Sequence, residues 1–175
     1  MMKKIITLLA CAMILSVNSV STYGQNAQNN LEDIILQLRS MGYAPQFELL
    51  DEIYKPLQEA APKDGVEVSW DIAYGEHERH RLDIYQPTTN MDKPSPILIF
   101  VHGGAFRGGD KDGNQNIGYY FARHGITTVV ISYRLAPDYT WPAGAEDLAA
   151  VLEWTQAHPE QLASGDTNKI FIMGH

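Results

Sequence analysis

The apolar residues of this chain change their period several times, and each change marks an element. Leu31, Ile34, Ile35 and Leu38 recur at helical spacing until Gly42, a residue suited to ending a helix. Pro45 to Ala60 predicts a second helix, disturbed at Pro56, and Ala61 to Gly65 closes it as a loop. From Val66 the period falls to two. Val66, Val68, Trp70, Ile72 and Tyr74 alternate with Glu67, Ser69, Asp71 and Ala73, which predicts a half-buried strand. Gly75 to Glu78 makes a turn, and Arg79 to Tyr85 alternates again with Leu82 and Ile84 on one face, so the two segments predict an antiparallel hairpin ended by Gln86-Pro87.

Beyond the hairpin the texture is different. Ile97 to Val101 and most of Ile126 to Tyr133 are continuous apolar runs, as expected of strands buried on both faces. Between them Ile117, Tyr120, Phe121 and His124 predict a crossover helix that stops at Gly125, completing a βαβ unit. A further helix over Gly144 to His158 carries Leu148, Val151 and Leu152 on one face, with Glu146 and Asp147 in its first turn, where the helix dipole favours acids. A third apolar strand, Lys169 to Met173, comes next. The order implies an α/β fold, a hairpin followed by mostly parallel strands with helices on both faces. It ends at Gly174-His175, so the sheet reads as incomplete, and ligands of such sheets bind at the carboxyl edge where it stops.

Met1-Met2-Lys3-Lys4 precedes a run from Ile5 to Val17 in which only Thr7 and Ser16 are polar, the pattern of a secretory signal peptide. The run is too short to span a bilayer, and no later segment approaches about 18 apolar residues, so no stable membrane insertion is expected. Cleavage after Gly24 is preferred to cleavage after Ser21. Leu8-Leu9-Ala10-Cys11 faintly resembles a lipoprotein signal, but the apolar run continues past Cys11, which favours ordinary cleavage. These features set the domain boundaries: 1–24 signal peptide, 25–65 linker and amino-terminal helices, 66–175 a partial α/β domain, exported to the periplasm or secreted. Loss of Cys11 leaves a mature chain that cannot form disulfides.

The composition is that of a globular protein, 45% hydrophobic and 19% charged. A net charge of -8 argues against a nucleic-acid partner, since neutralising phosphates requires a surplus of Lys and Arg. Six His and one Cys form none of the spaced ligand sets of a structural zinc site, so no metal is expected.

The chemistry concentrates after the first buried strand, in His102-Gly103-Gly104-Ala105-Phe106-Arg107-Gly108-Gly109-Asp110-Lys111. A phosphate-binding P-loop needs Lys and then Ser or Thr after the second glycine, and Asp110 stands in that place. A dinucleotide fingerprint opens directly into a helix, whereas here polar and glycine-rich residues continue to Ile117. The remaining reading is an oxyanion hole, in which small residues let main-chain NH groups face a carbonyl oxygen that acquires negative charge.

At these residues the sequence resembles the α/β-hydrolase family, in its branch of hormone-sensitive-lipase-like and feruloyl-esterase-like carboxylesterases. His102-Gly103-Gly104-Ala105-Phe106 is similar to the HGGG-type oxyanion motif. Tyr133-Arg134-Leu135-Ala136-Pro137, Trp141-Pro142-Ala143 and Glu146-Asp147 resemble the YRLAP, PA and ED signature, and Leu82-Asp83-Ile84-Tyr85 with Pro87 resembles the preceding strand. Ile170 to His175 resembles the strand entering the nucleophile elbow G-x-S-x-G, of which the first two residues are present.

The resemblance implies serine-dependent hydrolysis of carboxylic esters without a cofactor. It places the serine directly after His175, the acid and the histidine further on, and predicts that the chain as written is inactive and its open sheet edge unstable. It assigns the amides of Gly104 and Ala105 as oxyanion donors, with Gly103 and Phe106 at the substrate. For Phe106, lining the pocket and packing in the core remain alternatives. His102 is expected to shape the loop and not to act as base, and His175 to flank the serine. Arg134, Glu146 and Asp147 are expected to form a salt-linked scaffold, while His77, His80, His124 and His158 are expected to be solvated or packed. The substrate is a small-molecule or polysaccharide-linked ester. Amide, formamide or peptide hydrolysis on the same fold, or a non-catalytic secreted module, are the competing functions.

Overall fold

In the computed structural model the described residues are 32–40, 47–89, 94–162 and 165–175. The segment expected to be a signal peptide, residues 1–24 with Cys11, and the linker expected after it lie outside them. The chain divides into two units, Met1–Ala60 and Ala61–His175. The first holds helix α1, residues 32–40, and helix α2, Phe47–Ala60, with Ile34 and Ile53 buried. α2 continues through Pro56, where the proline leaves one backbone hydrogen bond of the helix unmade.

The second unit is a five-stranded sheet in the order β1-β2-β4-β3-β5. Strand β1 is Val66–Ala73, β2 Arg81–Pro87, β3 Ser95–Val101, β4 Thr127–Ile131 and β5 Gly165–Gly174. β1 and β2 form the expected antiparallel hairpin, β2 is antiparallel to β4, and β3 lies parallel to both β4 and β5. Helix α3, Gln115–Arg123, crosses over between β3 and β4, and helix α4, Ala143–Ala157, between β4 and β5. The α/β class and the layering therefore match the reading from periodicity.

The two helices cover opposite faces, which explains the continuous apolar strands. On one face Leu82, Ile84, Ile97, Ile99, Val129 and Ile131 pack with Val151 of α4 and Leu162. On the other Tyr85, Phe100 and Val130 pack with Ala122 of α3. Each fully buried aliphatic side chain removed from water contributes about 1.5–3 kcal/mol, so both clusters stabilise the sheet.

Two strands depart from the expected pattern. β2 is not half-buried: Asp83, Tyr85 and Gln86 are buried as well as Leu82 and Ile84, because β2 sits inside the sheet with both its faces covered. β1 does not keep its alternation. Its register shifts between Ser69 and Ile72, where Asp71 adopts φ +55, and Trp70 is left 45% exposed. An extra residue in one strand reverses the facing of the residues after it, and no period-two pattern announces that in advance. At the other edge, Phe171 and Ile172 of the apolar strand β5 are exposed.

Gly118 shows how closely α3 seats on the sheet. A Cβ at this position would collide with the Tyr85 ring, which also meets Tyr119 edge-on at 5.1 Å. Gly118→Ala is expected to destabilise the protein by about 1–3 kcal/mol despite the better helix propensity of alanine, because overpacking against a rigid ring outweighs it. A urea unfolding midpoint unchanged or raised in the variant would contradict this packing.

Candidate active site

The register of the sheet brings three strand ends level. Val101 pairs with Ile131 on one side and with Gly174 on the other, so the loops after β3, β4 and β5 leave from one edge. The glycine-rich loop from His102 to Lys111 begins there. A Cβ on Gly103 would stand 2.8 Å from His175 Nε2 and 3.0 Å from its carbonyl oxygen, so the loop and the end of β5 approach to main-chain distance. A larger residue there would oblige His175 to shift.

His102 starts the loop and is 2% exposed. Its ring stacks on Tyr133 with centroids 4.3 Å apart, and the Tyr133 hydroxyl donates to the His102 carbonyl at 3.0 Å. Nδ1 lies 2.7 Å from the Gly103 carbonyl, and since a carbonyl only accepts, Nδ1 carries the proton. Nε2 is then a bare acceptor without a hydrogen-bond partner among the described residues. Burial holds the His102 pKa below the ordinary value, opposed by the bond to Gly103, so the ring is neutral. This is the loop-shaping role expected of it.

The next three residues are all left-handed: Gly104 at φ +114, Ala105 at +53 and Phe106 at +61. The Gly104 carbonyl accepts from the amides of Arg107 at 2.9 Å and Gly108 at 3.2 Å, closing a tight turn that a Cβ on Gly104 would drive into the Gly108 carbonyl. Gly104 and Ala105 are exposed, and among the described residues nothing accepts a hydrogen bond from their amides. Left-handed non-glycine residues cost on the order of 1–3 kcal/mol each and persist only where the surroundings enforce them. Here the enforcement includes the Ala136 amide, which donates to the Phe106 carbonyl at 2.8 Å.

Phe106 is 58% exposed, so it does not pack in the core. Its ring meets Tyr133 at 6.1 Å and forms one wall of a cavity of about 240 Å³ shared with Arg134, Ala136, Tyr139, Thr140, Trp141 and Gly144.

Beneath this cavity the expected scaffold is present. Arg134 Nη2 contacts Asp147 at 2.6 Å and Glu146 at 3.3 Å, and the Arg134 amide donates to the same Asp147 at 2.8 Å. Asp147 is 1% exposed. Burial alone would raise its pKa, but the hydrogen bonds from Arg134 and the nearby His80 hold the carboxyl below the usual range. Two residues of this frame carried no signal in the sequence. His80, expected to be merely solvated or packed, contacts Asp147 at 3.1 Å and stacks on Tyr74. Arg79, in the hairpin turn, donates to the carbonyls of Tyr133 at 2.7 Å and Gly109 at 2.8 Å and contacts Asp110 at 3.4 Å. A turn residue braces a loop some thirty residues away, a contact that periodicity cannot register. Among the described residues, no group of three or more His, Cys, Asp or Glu is arranged to hold a metal ion.

With this geometry in place, comparison with known proteins is informative. The family model described as BD-FAE matches residues 82–175, more than half of the chain. The chain belongs to the BD-FAE family. Its matched segment runs from β2 to the end of β5 and so contains the glycine-rich loop from His102 to Lys111 and the Arg134–Asp147 frame. A probable carboxylic ester hydrolase, LipM, from Mycobacterium tuberculosis is 36% identical over 107 residues, covering 59% of this chain and 25% of the relative. A probable isoprenylcysteine alpha-carbonyl methylesterase from Oryza sativa subsp. japonica is likewise 36% identical over 107 residues, covering 59% and 24%. The chain therefore spans about a quarter of the length of these relatives. Among solved structures, esterase B from Lactobacillus rhamnosis with a bound tributyrin phosphonate superposes with TM-score 0.63 at 21% identity, over 82% of this chain and 45% of that one, which establishes the shared fold. A bacterial heroin esterase gives TM-score 0.59 at 28% identity, over 71% and 40%. The fold is thus that of α/β-hydrolase esterases.

The neutral, buried His102 makes a pH prediction. Its folded pKa lies below the 6.5 of an exposed imidazole, so the unfolded chain takes up the proton first as pH falls. Its contribution is therefore fully present above pH 6.5 and lost progressively as pH drops from there toward the folded pKa. Urea midpoints measured from pH 8 to pH 5 should fall in that window, and less steeply in His102→Asn. An identical slope in the two proteins would show that another group titrates there.

Proposed function

We propose that this chain carries the oxyanion-binding part of a serine-dependent carboxylic ester hydrolase. The observation that supports it is the left-handed turn at Gly104, Ala105 and Phe106, two exposed residues of which keep main-chain amides unpaired among the described residues, in a loop whose Gly103 lies against His175 at the carboxyl edge of the sheet. The nucleophile in this reading is a serine following Gly174-His175, placed by β5 next to the loop. Its oxygen attacks the ester carbonyl carbon while a histidine elsewhere in the full-length protein takes the proton. The carbonyl oxygen becomes an alkoxide and is held by the amides of Gly104 and Ala105. The alkoxide collapses, the alcohol leaves with the proton from the histidine, and water then releases the acid from the acyl-enzyme. No cofactor takes part.

Gly103, assigned to the substrate site, lets the loop close on His175 and so brings the donors toward the nucleophile, and Phe106 forms a wall for an apolar part of the substrate. The substrate is an uncharged small-molecule ester or an acyl group carried on a polysaccharide. Residues 1–24 export the protein to the periplasm or the exterior. Among the described residues, no helix is long and apolar enough to cross a membrane.

Full-length protein assayed with p-nitrophenyl acetate and butyrate is expected to hydrolyse both, to be labelled by a fluorophosphonate, and to leave the matching anilides nearly untouched. Residues 25–175 alone are expected to do none of this. Gly104→Ala should lower kcat by about 10² to 10³-fold, the loss typical of one misplaced oxyanion donor, with a smaller change in KM. Faster turnover of anilides than esters, or full activity in Gly104→Ala, would overturn the reading.

A further inference from the structure

The far end of the oxyanion loop is held by a charge for which the reaction just described has no use. Lys111 closes the loop and its side chain turns inward, leaving the residue 4% exposed. Its Nζ contacts Asp71 at 2.8 Å, Asp83 at 3.1 Å and Asp112 at 2.7 Å. Asp83 is fully buried within β2, and its carboxylate also accepts the Asp71 amide at 2.9 Å. That amide belongs to the β1 bulge, where Asp71 adopts φ +55. The Lys111 amide donates to Ser132 Oγ at 3.1 Å, one residue past β4. A single residue thus ties the end of the loop to β1, β2 and β4 together.

Stability alone does not explain such a cluster. Taking an ammonium and a carboxylate out of water is costly, and well-packed apolar residues of similar volume often stabilise a protein as well or better. Apolar packing does not define a position as sharply as an ammonium seated among three carboxylates. Burial pulls the Lys111 pKa down, but the hydrogen bonds to Asp112, Asp71 and Asp83 outweigh it and hold the proton above the ordinary lysine range. The charge is therefore permanent across the pH range of any esterase assay.

The path from this anchor to the amides is short and has little slack. Asp110 and the Gly109 carbonyl are held by Arg79. A Cβ at Gly109 would run into His102 and the Gly103 carbonyl, so the two ends of the loop lie against each other. The Gly108 and Arg107 amides both bond to the Gly104 carbonyl. Movement of residue 111 is passed through these contacts to the turn at Gly104.

We propose that Lys111 is a positioning residue for ester hydrolysis: its ammonium, seated between Asp83 and Asp71, sets where Gly104 and Ala105 present their amides to the reacting oxygen. The proposal rests on the esterase reading and adds a residue that touches neither substrate nor nucleophile.

Three full-length proteins test it with p-nitrophenyl butyrate: wild type, Lys111→Met, and Lys111→Met combined with Asp83→Asn. The double variant removes both buried charges while keeping an acceptor for the Asp71 amide, so it folds even where the single variant is impaired by an unpaired carboxylate. Rates are counted per serine titrated with a fluorophosphonate, which leaves unfolded molecules out. The expected result in both variants is a kcat lowered about 10- to 100-fold with KM within about twofold of wild type, as for an interaction made in the transition state. In the double variant the thermal midpoint should recover while kcat stays low. A kcat that recovers together with the thermal midpoint would make Lys111 merely structural and overturn the proposal. A wild type that is labelled and active on anilides but not on esters would instead overturn the esterase reading.

Discussion

Three successive residues in the left-handed region, two of them not glycine, do not hold that shape unaided. An L-residue loses on the order of 1–2 kcal/mol there, and a free loop would relax. The turn at Gly104, Ala105 and Phe106 persists because the backbone around it is tied down at four points. Tyr133 grips His102 at the entry by stacking and by a hydrogen bond. Ala136 holds the Phe106 carbonyl, Arg79 holds the Gly109 carbonyl, and Lys111 plugs the exit into Asp83. The strain is the counterpart of unpaired amides: a relaxed loop would turn them toward its own carbonyls.

Several further ties end on three consecutive residues just beyond β4. Ser132 accepts from the Lys111 amide through its hydroxyl and from the Tyr74 hydroxyl through its carbonyl. Tyr133 meets His102 and accepts from Arg79. Arg134 binds Asp147 of α4. β4 is interior to the sheet and wholly buried, so a segment leaving it has little freedom, and the loop inherits that rigidity. In the proposed ester hydrolysis, preorganised donors cost no rearrangement at the moment charge develops, so rigidity here would serve the chemistry as well as stability.

The frame was partly legible and partly not. His102-Gly103-Gly104 after an apolar run marks a tight loop at a strand end, and Arg134 with Glu146 and Asp147 reads as a salt link, as found. Lys111, by contrast, stands between Asp110 and Asp112 with no local signal of burial, yet it is buried. Its partner Asp83 lies in an alternating segment whose polar positions face solvent in any isolated hairpin. Only pairing with β4, more than forty residues later, puts that face inside. His80 is hidden for the same reason: Asp147, its partner, is sixty-seven residues distant.

Period and glycine placement by themselves determined the α/β class, the hairpin, the crossover helices and the loop that carries the candidate oxyanion donors, because those features depend on neighbours within a few positions. Tertiary structure decided the rest: the burial of β2, the bulge at Asp71, the exposure of Phe106, and the choice of Arg79 and Lys111 as braces. Each of these depends on which distant segment lies alongside. A charged side chain is read as solvated until a partner far along the chain replaces the water around it, and no local pattern carries that information.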